Sequence, residues 1–211
     1  MLIVLRTLCI LVSLLMIGCG AAPGGDTLDG ANGDLGLPLS GVAQEIKTSW
    51  GLFKDGSYSA SKAAFENALA ADASAVEKSE IRAGLGWCHV KLSGSQAGID
   101  QFRQALQLNP KQNDAIVGLA GALISKGSKE DIQEAVTLLE GLDTGNANFV
   151  YNDVNKVGVS NAEAHAMLAY AYFVQGNRTK SNEQIRIASD LDSQFSGTPV
   201  DQIAEVLKFI P

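Results

Sequence analysis

The sequence predicts an all-α protein: a solenoid of about four helix pairs closed by a C-terminal capping helix. Three observations point there. Beyond Val42, apolar residues recur at helical spacing, and Gly, Asn, Ser and Pro break the pattern at roughly helix-length intervals. Alanine and glycine are plentiful while aromatic residues make up only 6 % of the chain, which suits helices approaching through small residues better than a strand-rich sandwich. Phe65, Phe102 and Leu139 are separated by 37 residues at each step, a spacing in the range of helical repeats.

In chain order, the first element is a leader. Arg6 is its only charge, and an almost unbroken apolar run from Leu8 to Ile17 leads to Gly18-Cys19. The run is too short to cross a ~30 Å hydrocarbon layer at ~1.5 Å per residue, so it reads as a signal peptide over residues 1–18. Met16-Ile17-Gly18-Cys19 resembles the lipobox of bacterial lipoproteins, with Met16 where leucine is commoner. The resemblance implies acylation of Cys19, a mature chain of residues 19–211, and anchoring to one leaflet of a membrane in the bacterial cell envelope. Each buried acyl methylene contributes ~0.8 kcal/mol, so two or more chains make a stable anchor. Loss of Arg6 takes the formal charge from −7 to −8. Cys88 is then left as a single free thiol, which reads as a small buried hydrophobe inside a helix.

Residues 19–41 read as the lipidated cysteine and a flexible tether. From Gly20 to Gly41 there are seven glycines, two prolines, three aspartates and no basic residue. As a Gly-rich coil this stretch spans about 25 Å on average. The run Asp26 to Asp34 lacks the alternating ligands and closing Glu of a calcium loop.

Residues 42–211 form the helical domain. Leu85-Gly86-Trp87, followed by Phe102, Ala105, Leu106 and Pro110, places large and small residues in the order of the 34-residue tetratricopeptide repeat (TPR), which this segment resembles. Gly98 occupies the usual alanine position. A first repeat shows Gly56 and Tyr58 at its turn and Phe65, Ala68 and Leu69 on its second helix, with Ala73 in place of the terminal proline. A third keeps Leu119, Ala120, Leu123 and Gly127, and then reads as carrying three extra residues before Ala135, Leu139 and Leu142. A fourth has Leu168, Ala169, Tyr172 and Gly176, then Ile185 and Ala188, with Ser181 in an alanine position. The resemblance implies a right-handed TPR-like α-α superhelix. In it a small residue on one helix lets the next approach while its large neighbour fills the gap, and no repeat buries its face alone.

Thr198, Pro199 and Asp201 suit the start of a last helix, whose Val200, Ile203, Val206, Leu207 and Ile210 make one apolar stripe to cover the final repeat. The connection from Asp143 to Asn161 is too long for an inter-repeat turn. It contains Phe149, Val150, Tyr151, Val154, Val157 and Val159, so it is expected to pack on the solenoid.

Signs of chemistry are few. The two histidines, His89 and His165, stand on the first helices of different repeats without metal-ligand spacing. Gly94-Ser95-Gln96-Ala97-Gly98 does not order itself as a nucleophile elbow, nor Lys126-Gly127-Ser128 as a phosphate loop. Adjacent acids such as Glu130 and Asp131 read as solvated surface. No enzymatic role, cofactor or metal is expected. A chain of charge −7 without a Lys or Arg cluster is a poor partner for nucleic acid.

By resemblance, the first helices of successive repeats line the concave face, where related proteins receive peptides. The repeat register places Ile46, Trp50, Phe53, Trp87, Val90, Lys91, Ile124, Tyr170 and Phe173 on or beside that face. The expectation is a membrane-anchored adaptor that binds a protein or peptide there, recognising apolar side chains. A subunit or assembly factor of an outer-membrane or pilus machine is the first alternative, and an envelope enzyme or its activator the second.

Overall fold

A computed structural model describes residues 41–142 and 149–193. The leader, Cys19, the tether up to residue 40 and the expected C-terminal cap over 198–211 lie outside the described residues, and Gly41, read from sequence as the end of the tether, begins the first helix. Within them the chain is helical: α1 (Gly41–Lys54), α2 (Tyr58–Ala70), α3 (Ala75–Ser93), α4 (Ile99–Leu108), α5 (Asn113–Lys126), α6 (Lys129–Glu140), α7 (Asn161–Val174) and α8 (Arg178–Leu191), with a short 3-10 turn at Ser95–Gly98. These are four antiparallel pairs, each packed on the next. No described helix is long and apolar enough to cross a membrane.

Local sequence sets where the helices begin and end. Ser74 with Glu77, and Ser160 with Glu163, form reciprocal capping boxes at α3 and α7, and the Ser128 hydroxyl accepts from the Asp131 amide at the start of α6. Gly56, Gly127 and Gly176 follow α1, α5 and α7 with φ of +76°, +77° and +81°, a conformation that favours glycine. In all three repeats the N-cap position follows directly, held by Ser57, Ser128 or Asn177, and the Ser128 and Asn177 side chains accept from the helix they begin.

That common turn corrects the reading of the third repeat. Counting from the turn glycine, Ser61, Ile132 and Ser181 are equivalent, as are Phe65, Val136 and Ile185, and Ala68, Leu139 and Ala188; all nine are buried. No residues are inserted before Ala135. The second 37-residue interval, from Phe102 to Leu139, joins positions that are not equivalent. The excess in the first interval lies in α3, which has 19 residues where α1, α5 and α7 have 14.

The core follows the large-into-small logic in detail. Phe65 and Phe102 are fully buried. A Cβ added at Gly84 would meet the Phe65 ring at 2.2 Å, and one added at Gly86 or Gly118 would meet the Phe102 ring at 2.4 Å in either case. Phe102 is thus held between α3 and α5 by two glycines that give it room. Gly98 is required for the same kind of reason, since a Cβ there would come within 2.7 Å of the Gly86 carbonyl. Cys88 is buried, its thiol donating to the Ser61 hydroxyl at 3.3 Å, as a small interior residue. At the last junction Tyr172 donates to Glu140, and Lys180 donates to the same carboxylate at 3.1 Å, joining α6 to α7 and α8. Burial and the Glu140 bond push the Tyr172 phenol up to about 12.

Candidate functional site: the first-helix face and the strap across it

The first helices α1, α3, α5 and α7 contact one another in sequence and form one face. Across it runs a strap, residues 149–160, which is neither helix nor strand. Its side chains alternate as an extended segment dictates. Phe149 and Tyr151 are buried with Val150 exposed between them, and Val157 and Val159 are buried with Gly158 exposed between. The middle turns back on itself around Asp153, whose carboxylate accepts from the amides of Val157 at 2.8 Å and Gly158 at 3.3 Å. The sequence expectation that this connection packs on the solenoid holds for its described residues, 149–161.

The strap is pinned at two places. At α5, the carboxylate of Asp114 accepts from the Tyr151 hydroxyl at 2.8 Å and from the Asn155 side-chain amide at 2.7 Å. Asp114 stands in the first turn of α5, where a carboxylate is favoured by the helix dipole. Burial raises its carboxyl above the ordinary carboxylate range, with the two strap donors opposing. Burial likewise moves the Tyr151 phenol far upward, helped by the Asp114 charge, so the hydroxyl stays a donor. At α7, His165 lies flat against the Phe149 ring, with centroids 4.0 Å apart and planes 8° apart. Its Nε2 is 2.9 Å from the Phe149 carbonyl, which only accepts, so Nε2 carries the proton; its Nδ1 is 2.7 Å from the Gln184 side chain. The strap backbone is held further by the Tyr151 amide, which donates to Asn161 Oδ1 at 2.7 Å.

Beyond the strap's turn the face is not filled. A cavity of about 230 Å³ lies between α1 and α3, lined by Ala43, Ile46, Lys47, Trp50, Glu80 and the strap's own Asn155, among others. Burial raises the Glu80 carboxyl, against the bond it accepts from Trp50 Nε1 at 3.1 Å. A larger open depression of about 870 Å³ lies elsewhere, between α6 and the end of α7, lined by Ile132, Gln133, Thr137 and Val174 among others.

The structure distributes the nine residues expected on this face unevenly. Ile46, Trp50, Phe53, Trp87, Val90 and Ile124 are buried; Tyr170 and Phe173 are half-buried, and Lys91 is exposed. Trp50 packs edge-on against Phe53 and Phe65, and Trp87 against Phe102, so both indoles belong in large part to the core. Ile46 and Trp50 also line the α1–α3 cavity. Lys91 lies over the Trp87 ring at 5.9 Å, and its amine is 3.5 Å from where a Cβ on Gly158 of the strap would stand. Arg178 covers the Phe173 ring at 3.6 Å. An exposed aromatic lining is therefore not what this face presents.

Sequence reasoning passes over Asp114, Asn155 and the docking role of His165. The available signal is the apolar run of the connection. Asp114 also gives its carbonyl to Trp87 Nε1 at 2.9 Å, so strap, α5 and the core tryptophan share one network. Chemically the site can hold a hydroxyl and a carboxamide against a carboxylate and take apolar side chains on either side. Among the described residues no group of three or more His, Cys, Asp or Glu is placed to hold a metal ion.

Several solved structures are similar to this chain in fold. PilF of Pseudomonas aeruginosa superposes with a TM-score of 0.60 at 14 % identity, over 79 % of this chain and 66 % of that one. A thermophilic TPR protein of Thermus thermophilus gives 0.54 at 18 % identity, over 79 % and 81 %. YrrB, a TPR protein described as having an unusual peptide-binding site, gives 0.51 at 19 % identity, over 72 % and 70 %. The fold is an all-α, TPR-like superhelix. No protein-family model matches the chain, and no curated protein matches it.

Proposed function

We propose that this protein is a lipid-anchored scaffold of the bacterial cell envelope that binds an extended peptide segment of another protein on its first-helix face and carries out no chemistry itself. One observation carries the reading: that face already accommodates an extended segment, residues 149–160, with alternate side chains buried and a carboxylate receiving side-chain donors. Such alternation is how extended peptides are read wherever they bind. The likeness to YrrB supports the same use of the fold. The anchor rests on Cys19 and the leader before it, which would put the scaffold on one membrane leaflet with about 25 Å of tether.

Photocrosslinking in the native cell tests the face. A photoreactive residue at Lys47 or Lys91 is expected to yield protein adducts well above those from Gln133 in the depression beside α6. Equal yields at all three, or adducts concentrated at Gln133, refute the face. For the anchor, Cys19→Ala is expected to abolish palmitate labelling and to move the protein from the detergent phase to the aqueous phase. Persistent labelling refutes the lipoprotein reading.

A further inference from the structure

The strap covers the very face proposed to receive a partner, so a partner and the strap compete for it. We propose that residues 149–160 are a built-in ligand held on the first-helix face by Asp114. The external ligand is then an extended peptide of the same chemistry, with apolar side chains at alternate positions and a phenolic hydroxyl and a carboxamide for Asp114, and it binds by displacing the strap. This rests on the first-helix face being the binding surface.

The geometry describes a segment that is held but not optimised. Apart from Ser160, which caps α7, its direct polar ties to the described helices are two side-chain donors to Asp114, one carbonyl to His165 and one amide to Asn161. Val150 and Val154 point outward at 76 % and 64 % exposure, apolar groups that gain nothing where they are. Lys156 adopts φ of +56°, the left-handed region that a side chain disfavours. The carboxylate beneath is largely desolvated, which weakens the net gain from the two bonds it accepts. Phe149, Tyr151, Val157 and Val159 set the two ends of the strap in the core, so the exposed apolar groups and the strained turn mark its middle, around Asp153 to Lys156, as the part that opens first. The strap occupies the face at rest because its tether gives it a high local concentration. A peptide free of the strained turn and able to extend into the unfilled cavity beside Asn155 has more to gain on the same surface.

The test uses the full-length chain in detergent micelles and a fluorescent synthetic peptide with the sequence of residues 149–160. Replacing both strap donors in the protein, Tyr151→Phe with Asn155→Ala, removes the pin on Asp114, weakens the strap's hold on the face and leaves Asp114 intact. This variant is expected to bind the peptide at least about tenfold more tightly than wild type by anisotropy, the gain of removing an intramolecular competitor. Asp114→Ala opens the strap too but removes the acceptor, and is expected to bind at least about tenfold more weakly than the opened variant. Peptide binding by the opened variant no tighter than by wild type, with unchanged helical circular dichroism, overturns the proposal. If the opened variant does not fold, hydrogen exchange on the wild-type protein decides: strap amides that exchange only with the α5 core overturn it, and strap amides that exchange much faster support it. Crosslinks at Lys47 and Lys91 that persist when the peptide fails to bind leave the binding face standing and sink only the displacement. Loss of both sinks the face as well.

Discussion

The Phe102 interlock and the Asp114 pin hold neighbouring parts of the molecule together by opposite means. Phe102 sits between Gly86 and Gly118 with no polar group in the contact, and its ring fills the space the two glycines leave. Asp114 holds the strap through two hydrogen bonds to one buried carboxylate. The first arrangement gains from every methylene buried and has no alternative partner for the ring. In the second, water can replace each protein donor, and the carboxylate regains solvation on opening. Packing alone therefore fixes the solenoid at Phe102, while the segment laid across it is held by four buried side chains together with exchangeable bonds.

The interlock carries the largest expected effects. Phe102→Ala removes a fully buried ring from between two helices whose facing positions, Gly86 and Gly118, have no side chain to fill the space, and is expected to cost about 3–5 kcal/mol in urea unfolding. Gly118→Val fails in the other direction. Its Cβ would stand 2.4 Å from a ring that Gly86 already confines on the other side, so a loss of about 1–3 kcal/mol or more is expected. Combining Gly118→Val with Phe102→Leu is expected to cost less than the sum of the two single changes, because the smaller side chain vacates the contested volume. Strict additivity would show that the two positions do not share that space.

Asp114→Ala comes next. It leaves the Tyr151 hydroxyl and the Asn155 amide without their acceptor, at a cost of about 1–3 kcal/mol if the strap stays in place and less if it lifts into water. The comparison predicts the second outcome: a modest fall in unfolding midpoint, with proteolytic cleavage gained within 149–160 and not within α5. Cleavage that appears in both segments together would mean that the strap and solenoid unfold as one unit.

The two regions also differ in how far they can be read from sequence. Leu85-Gly86, Phe102 and Ala105 lie at the separations of the repeat pattern, and the turn glycines Gly56, Gly127 and Gly176 lie at a fixed separation within the other three repeats, so periodicity exposes them. Gly84 and Gly118 escape notice although they do the same work as Gly86, because their partners Phe65 and Phe102 are contributed by the preceding helix. Spacing misleads in the third repeat because Leu139 falls at the 37-residue interval by chance, while its turn keeps the register of the other repeats. The strap is legible only as an apolar run of unusual length. Tyr151 meets Asp114 across 37 residues and Asn155 meets it across 41, and no local pattern links them. Trp50 and Trp87 look like surface anchors because register assigns a helix face, whereas neighbouring helices and the strap decide what that face exposes.

Acidity gives a finer probe of the pin. Burial holds the Asp114 carboxyl above its ordinary value of 3.8 in the folded protein, so between that value and the raised one the folded state binds more protons than the unfolded state. Its contribution to stability is therefore greatest at low pH and declines as pH rises through that window. Asp114→Asn cannot titrate and keeps a carbonyl oxygen for the Tyr151 hydroxyl. The stability of wild type relative to this variant is expected to fall as pH rises from the ordinary carboxyl value of 3.8 through the raised one in parallel urea titrations. Subtracting the two curves removes most of the opposite trend from Glu140, whose carboxyl the Tyr172 bond holds low. A difference that rises with pH would mean that the two strap donors outweigh burial.

The smallest effect belongs to the outer surface, where Arg103 on α4 meets Glu134 on α6 at 2.9 Å. The pair bridges the second and third repeats as Phe102 does, yet its side chains are 46 % and 42 % exposed. Water screens the attraction, and holding two long side chains in one geometry costs entropy that the contact barely offsets. A double-mutant cycle with Arg103→Ala and Glu134→Ala is expected to give a coupling below about 0.5 kcal/mol, falling further in molar salt. A coupling of several times that size would place part of the inter-repeat register in surface charge, and the interlock would no longer suffice to explain why the second and third repeats stack as they do.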